Sequence, residues 1–166
     1  MLTEIDQILG RLAELGIATE THTHPAVFTV EESLQYTAAV PGAHVKNLFL
    51  KDKKDKLWLV TCRHDLRVDL NALSRRLGAA RFSFGKAELL KEVLGVEPGS
   101  VTPLAIVNDT AQRVQPVLDK ALLDHDRLNC HPLRNTASTV IGTGDLVRFI
   151  RTTGHEPVVS EIDVVA

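Results

Sequence analysis

Apolar positions recur along the chain with two periods, and the switches between them predict the elements. Ile5, Ile8, Leu9, Leu12 and Leu15 follow the i, i+3, i+4 spacing of one helix face, and Gly16 closes that helix. Residues 18–23 alternate as a strand does, with Thr19, Thr21 and Thr23 on one side, until His24-Pro25 breaks the run. Thr29 with Glu32 three residues on is a capping-box start for a helix reaching about Ala39, before Pro41-Gly42. Residues 44–51 and 56–62 are apolar runs separated by the polar turn Asp52-Lys53-Lys54-Asp55, a hairpin signal. A helix over 69–78, a short strand over 80–84 and a helix over 86–94 closed by Gly95 follow. Beyond the loop 97–103, residues 104–107 read as a buried strand. Residues 114–118 and 127–131 read as strands around an acidic turn, 145–152 as the last helix and 158–159 as a closing strand. Interspersed elements with a hairpin and no strict βαβ repeat predict an α/β fold with a mixed, largely antiparallel sheet.

Composition bounds this picture. With 166 residues, 44% of them hydrophobic, the expectation is one domain spanning 1–166 with a core that needs no staples. No apolar run approaches the ~18 residues of a membrane helix, and Met1-Leu2-Thr3-Glu4 lacks the basic start of a secretory signal. Cys62 and Cys130 stand alone, which points to a reducing, cytoplasmic setting. The net charge of −2 argues at first against a nucleic-acid partner. Yet residues 44–91 hold twelve basic and five acidic side chains, a balance of +7, and the remainder carries −9. Lys51 to Lys56 fit a solvated turn, whereas Arg63, Arg67, Arg75, Arg76 and Arg81 together suit a polyanion.

Most familiar catalytic patterns are absent. His22 and His24 share a strand face, and His64 or His131 could join them. Without H-E-x-x-H or a cysteine cluster no metal site is expected. There is no Gly-x-Ser-x-Gly, and both cysteines lie in apolar strands where a thiol simply packs. Gly142-Thr143-Gly144 reads as a turn. Two features remain open. Lys46 begins an otherwise apolar run and either emerges at the rim or faces a cleft, where its ammonium could hold a phosphate. The stretch Gly99-Ser100-Val101-Thr102-Pro103 is either a connector or a loop whose glycine lets backbone amides approach a ligand. His131-Pro132 places an imidazole at a strand end.

In order along the chain, Lys46-Asn47-Leu48-Phe49-Leu50, Gly99-x-x-x-Pro103 leading into Leu104-Ala105-Ile106-Val107-Asn108-Asp109, Asn129-Cys130-His131-Pro132 and Asn135-Thr136-Ala137-Ser138-Thr139 form one set. The set resembles the YbaK/prolyl-tRNA synthetase editing-domain family, and most closely its free-standing Ala-tRNA(Pro) deacylases. The resemblance implies a curved, partly barrel-like sheet with surrounding helices. It also implies hydrolysis of the ester joining a wrong amino acid to tRNA(Pro), without cofactor, metal or protein nucleophile. By position, Lys46 would hold the terminal adenosine's phosphate or ribose. The 99–103 loop would line the aminoacyl pocket, and His131 would orient substrate or water. Asn47, Asp109 and Ser138 carry over as further site residues. Phe28, Val30 and Leu48 are candidate walls of a pocket that admits alanine and excludes proline by size. The basic segment then faces the acceptor end of the tRNA. The expected protein is a monomer that meets prolyl-tRNA synthetase only transiently. A Cys-tRNA(Pro) deacylase, a non-catalytic tRNA-binding module and a hydrolase of free esters are the alternatives.

Overall fold

The computed structural model describes residues 1–166. Five helices are α1 (Ile5–Glu14), α2 (Val30–Thr37), α3 (Leu70–Arg76), α4 (Ala87–Leu94) and α5 (Thr143–Thr152). Eight strands are β1 (Thr19–Thr23), β2 (Ala43–Asp52), β3 (Leu57–Arg63), β4 (Phe82–Phe84), β5 (Val114–Asp119), β6 (Arg127–Cys130), β7 (Ala137–Gly142) and β8 (Val158–Ser160). Two 3₁₀ turns cover Pro103–Asn108 and Lys120–Asp124. No helix is long and apolar enough to cross a membrane.

The strands follow the order β1-β7-β6-β2-β3-β5-β8, with β4 also on β2. β1–β7, β2–β3, β2–β4 and β6–β7 pair antiparallel, while β2–β6, β3–β5 and β5–β8 pair parallel. The sheet is therefore mixed, with antiparallel pairs in the majority, as the sequence pattern predicts.

Packing explains why β3 reads as a continuous apolar run. Leu57 and Leu59 enter the larger core with Ile8 and Leu12 of α1, Leu90 and Leu94 of α4, and Phe149 and Ile150 of α5. Trp58, Val60 and Cys62 enter a second core with Leu50, Leu73, Phe82 and Val117. A strand covered on both faces shows no alternation.

Two elements differ from the sequence reading. Residues 104–107 form a buried 3₁₀ turn, not a strand. Pro103 stands at its start, where its missing N–H costs nothing, and Thr102 Oγ1 accepts from the Leu104 N–H at 3.3 Å. Conversely β7 is a strand within a stretch that read only as a polar motif. Ser138 and Thr139 are both buried there, and the Thr139 hydroxyl shares a 2.9 Å hydrogen bond with that of Thr21.

β2 decides where a site can form. On its outer edge it pairs with β6 only through Ala43–Leu128 and His44–Asn129, and with β4 only from Leu50 onward. Between those contacts, Val45 to Phe49 has no strand on that side.

Candidate functional site

Side chains two apart on a strand share a face, and residues in register across strands share it too. His44 is in register with Asn129, so Lys46 and His131, each two residues further on, lie along the same face. Ser138 follows the Cys130–Thr139 pair on β7 and is itself in register with His22 of β1. Residues from β2, β6 and β7 thus converge beside the unpaired edge of β2.

The cover comes from residues 27–37. Thr29 caps α2 by accepting from the Glu32 N–H at 3.1 Å, and Glu32 accepts in return from the Phe28 N–H at 3.1 Å. Asn135 anchors the segment by donating to the Val27 carbonyl at 2.6 Å. The third wall is the loop carrying Gly99 and Val101. Gly99 has φ +90, a turn conformation that favours glycine, and a Cβ there would meet Phe28 Cδ1 at 3.0 Å, so the exposed Phe28 ring lies directly against the loop. Together these pieces enclose a cavity of about 230 Å³, lined among others by Phe28, Val30, Lys46, Gly99, His131 and Ser138. That is smaller than the ~300–1,000 Å³ typical of drug-sized ligand pockets, and suits a small acyl group.

Hydrogen bonds fix the polar walls. Lys46 Nζ donates to the Leu66 carbonyl. Asn47 Nδ2 donates to the Val101 carbonyl at 3.1 Å while its Oδ1 accepts from Thr61 at 2.6 Å, tying the loop to β2. His24 Nδ1 donates to the Pro25 carbonyl at 2.8 Å, which leaves Nε2 to accept from Ser138 Oγ at 2.9 Å. The His24 ring stacks on Tyr36 of α2 at 5.7 Å. His131 Nδ1 donates to the Ala137 carbonyl at 3.2 Å, leaving Nε2 as a free acceptor. Burial lowers the His131 pKa, and nearby His24 lowers it further against the opposing pull of the Ala137 bond. Burial and the neighbouring His64 lower the His44 pKa as well. The two rings meet edge to face at 5.8 Å. The cysteines offer no nucleophile: burial pushes both thiols up to about 12.

Of the residues singled out from sequence, Lys46, Asn47, Phe28, Val30, Gly99, Val101, His131 and Ser138 line this cavity. The others lie elsewhere. Ser100, Thr102 and Pro103 are buried outside it, and Leu48 packs against the second core. Asp109 is a correction in kind: it is buried and accepts from the Arg113 and Val114 N–H groups and from His155, away from the cavity. Among the arginines, Arg63 is bound to buried Asp119 at 2.8 Å, and Arg76 to Asp163 at 2.8 Å. Arg67, Arg75 and Arg81 are exposed. His44, His64 and Asn129 also line the cavity: the sequence offers no role for His44, names His64 only as a metal-ligand candidate and holds Asn129 only within the His131 motif, although His44 and Asn129 each stand two residues before a predicted site residue. No three His, Cys, Asp or Glu side chains gather as metal ligands do.

A mixed sheet that opens beside one strand, with a lysine and a half-buried imidazole around a small cavity, defines a small-ligand site built on positioned polar groups. Comparison with known proteins makes the class specific. The aminoacyl-tRNA editing domain family matches residues 24–149, and the chain belongs to that family. It is 44% identical over 96% of its length, and 86% of the relative's, to the prolyl-tRNA synthetase associated domain-containing protein 1 of Danio rerio. It is 31% identical to the prolyl-tRNA editing protein ProX of Acetoanaerobium sticklandii, over 89% of this chain and 91% of that one. A crystal structure of a candidate trans-editing enzyme for prolyl-tRNA synthetase superposes with a TM-score of 0.73 over 99% of this chain and 100% of the other. Its 22% identity bears on the fold alone.

Proposed function

We propose that the chain hydrolyses the ester of mischarged Ala-tRNA(Pro) in trans, releasing alanine and free tRNA(Pro). One observation carries the reading: Lys46, Gly99 and the His131–Ser138 stretch, three regions far apart in sequence, surround one small cavity beside an open strand edge. An aminoacyl ester is labile, so orientation of a water and charge stabilisation suffice to accelerate its hydrolysis. Lys46 offers an ammonium to the terminal nucleotide's phosphate or ribose. His131, with Nδ1 bonded to a backbone carbonyl, presents Nε2 to a water or to the ribose 2′-hydroxyl, which assists the attack. Val30, Val101 and Phe28 bound the acyl pocket, where proline is excluded by size and alanine is not. Exposed Arg67, Arg75 and Arg81 are the proposed contacts for acceptor-stem phosphates. The reaction belongs in the cytoplasm, in a monomer that meets the synthetase transiently.

Incubating the protein with Ala-tRNA(Pro), Cys-tRNA(Pro) and Pro-tRNA(Pro) tests this. Alanine release well above the enzyme-free control, with Pro-tRNA(Pro) spared, is expected. Preferential cysteine release would move the specificity, and salt-sensitive binding without turnover would reduce the chain to a tRNA-binding module. Lys46→Ala should lower deacylation at least ~100-fold while the protein stays folded.

A further inference from the structure

The cavity wall contains a buried amide that nothing in the protein satisfies. Asn129 is only 8% exposed, and its Nδ2 has no hydrogen-bond partner. Its cross-strand neighbours are Val140 on one side, which has nothing to accept with, and His44 on the other, whose ring does not bond to it. Buried polar groups in folded proteins are paired in the great majority of cases, and an unpaired one destabilises the chain that keeps it. A leucine has the same branching at Cγ, though it is larger, and would carry no such cost. Asn129 also stands two residues before His131 on the same strand face, and lines the same cavity. The unpaired group is a donor, so its partner is an acceptor oxygen and cannot be the amino acid's ammonium.

We infer that Asn129 is a catalytic residue that donates through Nδ2 to the carbonyl oxygen of the aminoacyl ester and to the oxyanion that replaces it. The inference rests on the deacylase reading and adds to it the group that stabilises the developing charge. Water adds to the carbonyl carbon and loses a proton by way of the 2′-hydroxyl or His131, and the carbonyl π pair moves onto the oxygen facing Asn129. When that pair returns, the bond to the ribose 3′-oxygen breaks. The 3′-oxygen takes up the proton, giving the free amino acid and the free tRNA. A preorganised donor of this kind acts mainly on the transition state, so its loss appears in kcat.

The test combines Asn129→Leu and Asn129→Asp with two readouts. Removing an unsatisfied amide should raise the Tm of Asn129→Leu by about 2–4 °C. The same variant should lose about 100-fold in kcat with KM for aminoacyl-tRNA changed less than about twofold. Asn129→Asp keeps the shape without the donor and should lose at least as much. A lowered Tm with kcat retained would show a structural amide and overturn the inference. Binding of the 3′-(1-aminoethyl)phosphonate ester of adenosine, a stable analogue whose anionic oxygen stands where the oxyanion forms, separates the two readings. If the wild type binds it at least tenfold better than Asn129→Leu does, the contact stands even without turnover. Equal binding to both, or binding to neither, overturns it. Wild type that turns over Ala-tRNA(Pro) alongside fully active variants refutes the role of Asn129 and leaves the deacylase reading intact.

Discussion

Asp109 separates a role in the site from a role in the fold. The motif containing it implies substrate binding, but its carboxylate sits 3% exposed among three donors. Oδ1 accepts from the Arg113 N–H at 3.0 Å, and Oδ2 from the Val114 N–H and His155 Nε2, both at 2.8 Å. His155 is itself buried, and its Nδ1 lies 2.8 Å from Thr153 Oγ1. One carboxylate therefore ties the end of the Pro103–Asn108 turn to the first residue of β5 and to the segment after α5. Asp109→Ala orphans two backbone N–H groups and one imidazole N–H. At ~1–3 kcal/mol for each orphan, reduced by relaxation and entering water, the expected loss is about 3–5 kcal/mol. For a chain of this size, ~2–4 °C per kcal/mol converts this to a Tm lower by about 6–20 °C. Thermal unfolding measures the first number. Deacylation at a temperature where the variant is fully folded measures the second, and kcat/KM should stay within about threefold of wild type. An unchanged Tm with abolished activity would refute the reasoning and return Asp109 to the site.

The remaining expectations concern the cavity itself. Gly99→Ala forces a side chain into φ +90 and against Phe28. Phe28 is 68% exposed and can swing away, so the backbone strain of about 1–2 kcal/mol should dominate the loss in Tm, while deacylation falls further because the loop no longer fits. Phe28→Ala should restore little of that stability; full restoration would mean the contact, not the backbone, sets the cost. His131 and His44 are held below their ordinary pKa, so both stay neutral through pH 7. As pH falls from about 6.5 toward their lowered values, the unfolded chain binds more protons than the native one, and stability falls with pH. Deacylation should fall along the same acid limb. Rates that rise on acidification would exclude neutral His131 as the acceptor.

What the sequence made legible follows from where each signal is local. The hairpin of β2 and β3 was readable because its turn is polar and its strands are not. Residues 104–107 were misread because a short apolar run has the same pattern in a strand and in a buried turn, and only Thr102 and Pro103 mark the difference. β7 escaped notice because its Ser138 and Thr139 look like surface residues until β1 and β6 cover them. Lys46, Gly99 and His131 were legible as an ordered set. Asp109 shares the motif but faces the core, since adjacent chain positions need not share a direction. The arginines show the opposite failure. Nothing near Arg63 or Arg76 in sequence announces Asp119, 56 residues away, or Asp163, 87 residues away.

The pairing of β1 with β7 has a consequence for the order of events during synthesis. His24 and Ser138, which bond across the cavity wall, are separated by 114 residues. β1 therefore leaves the ribosome long before its only strand neighbour has been made, and β6 and β7 arrive almost together near the end. The N-terminal three-quarters of the chain holds Lys46 and Gly99 but neither His131 nor the strand that seats His24. A nascent chain thus carries half of the cavity with no capacity to close it, and the site comes into being in one late step of long-range strand pairing.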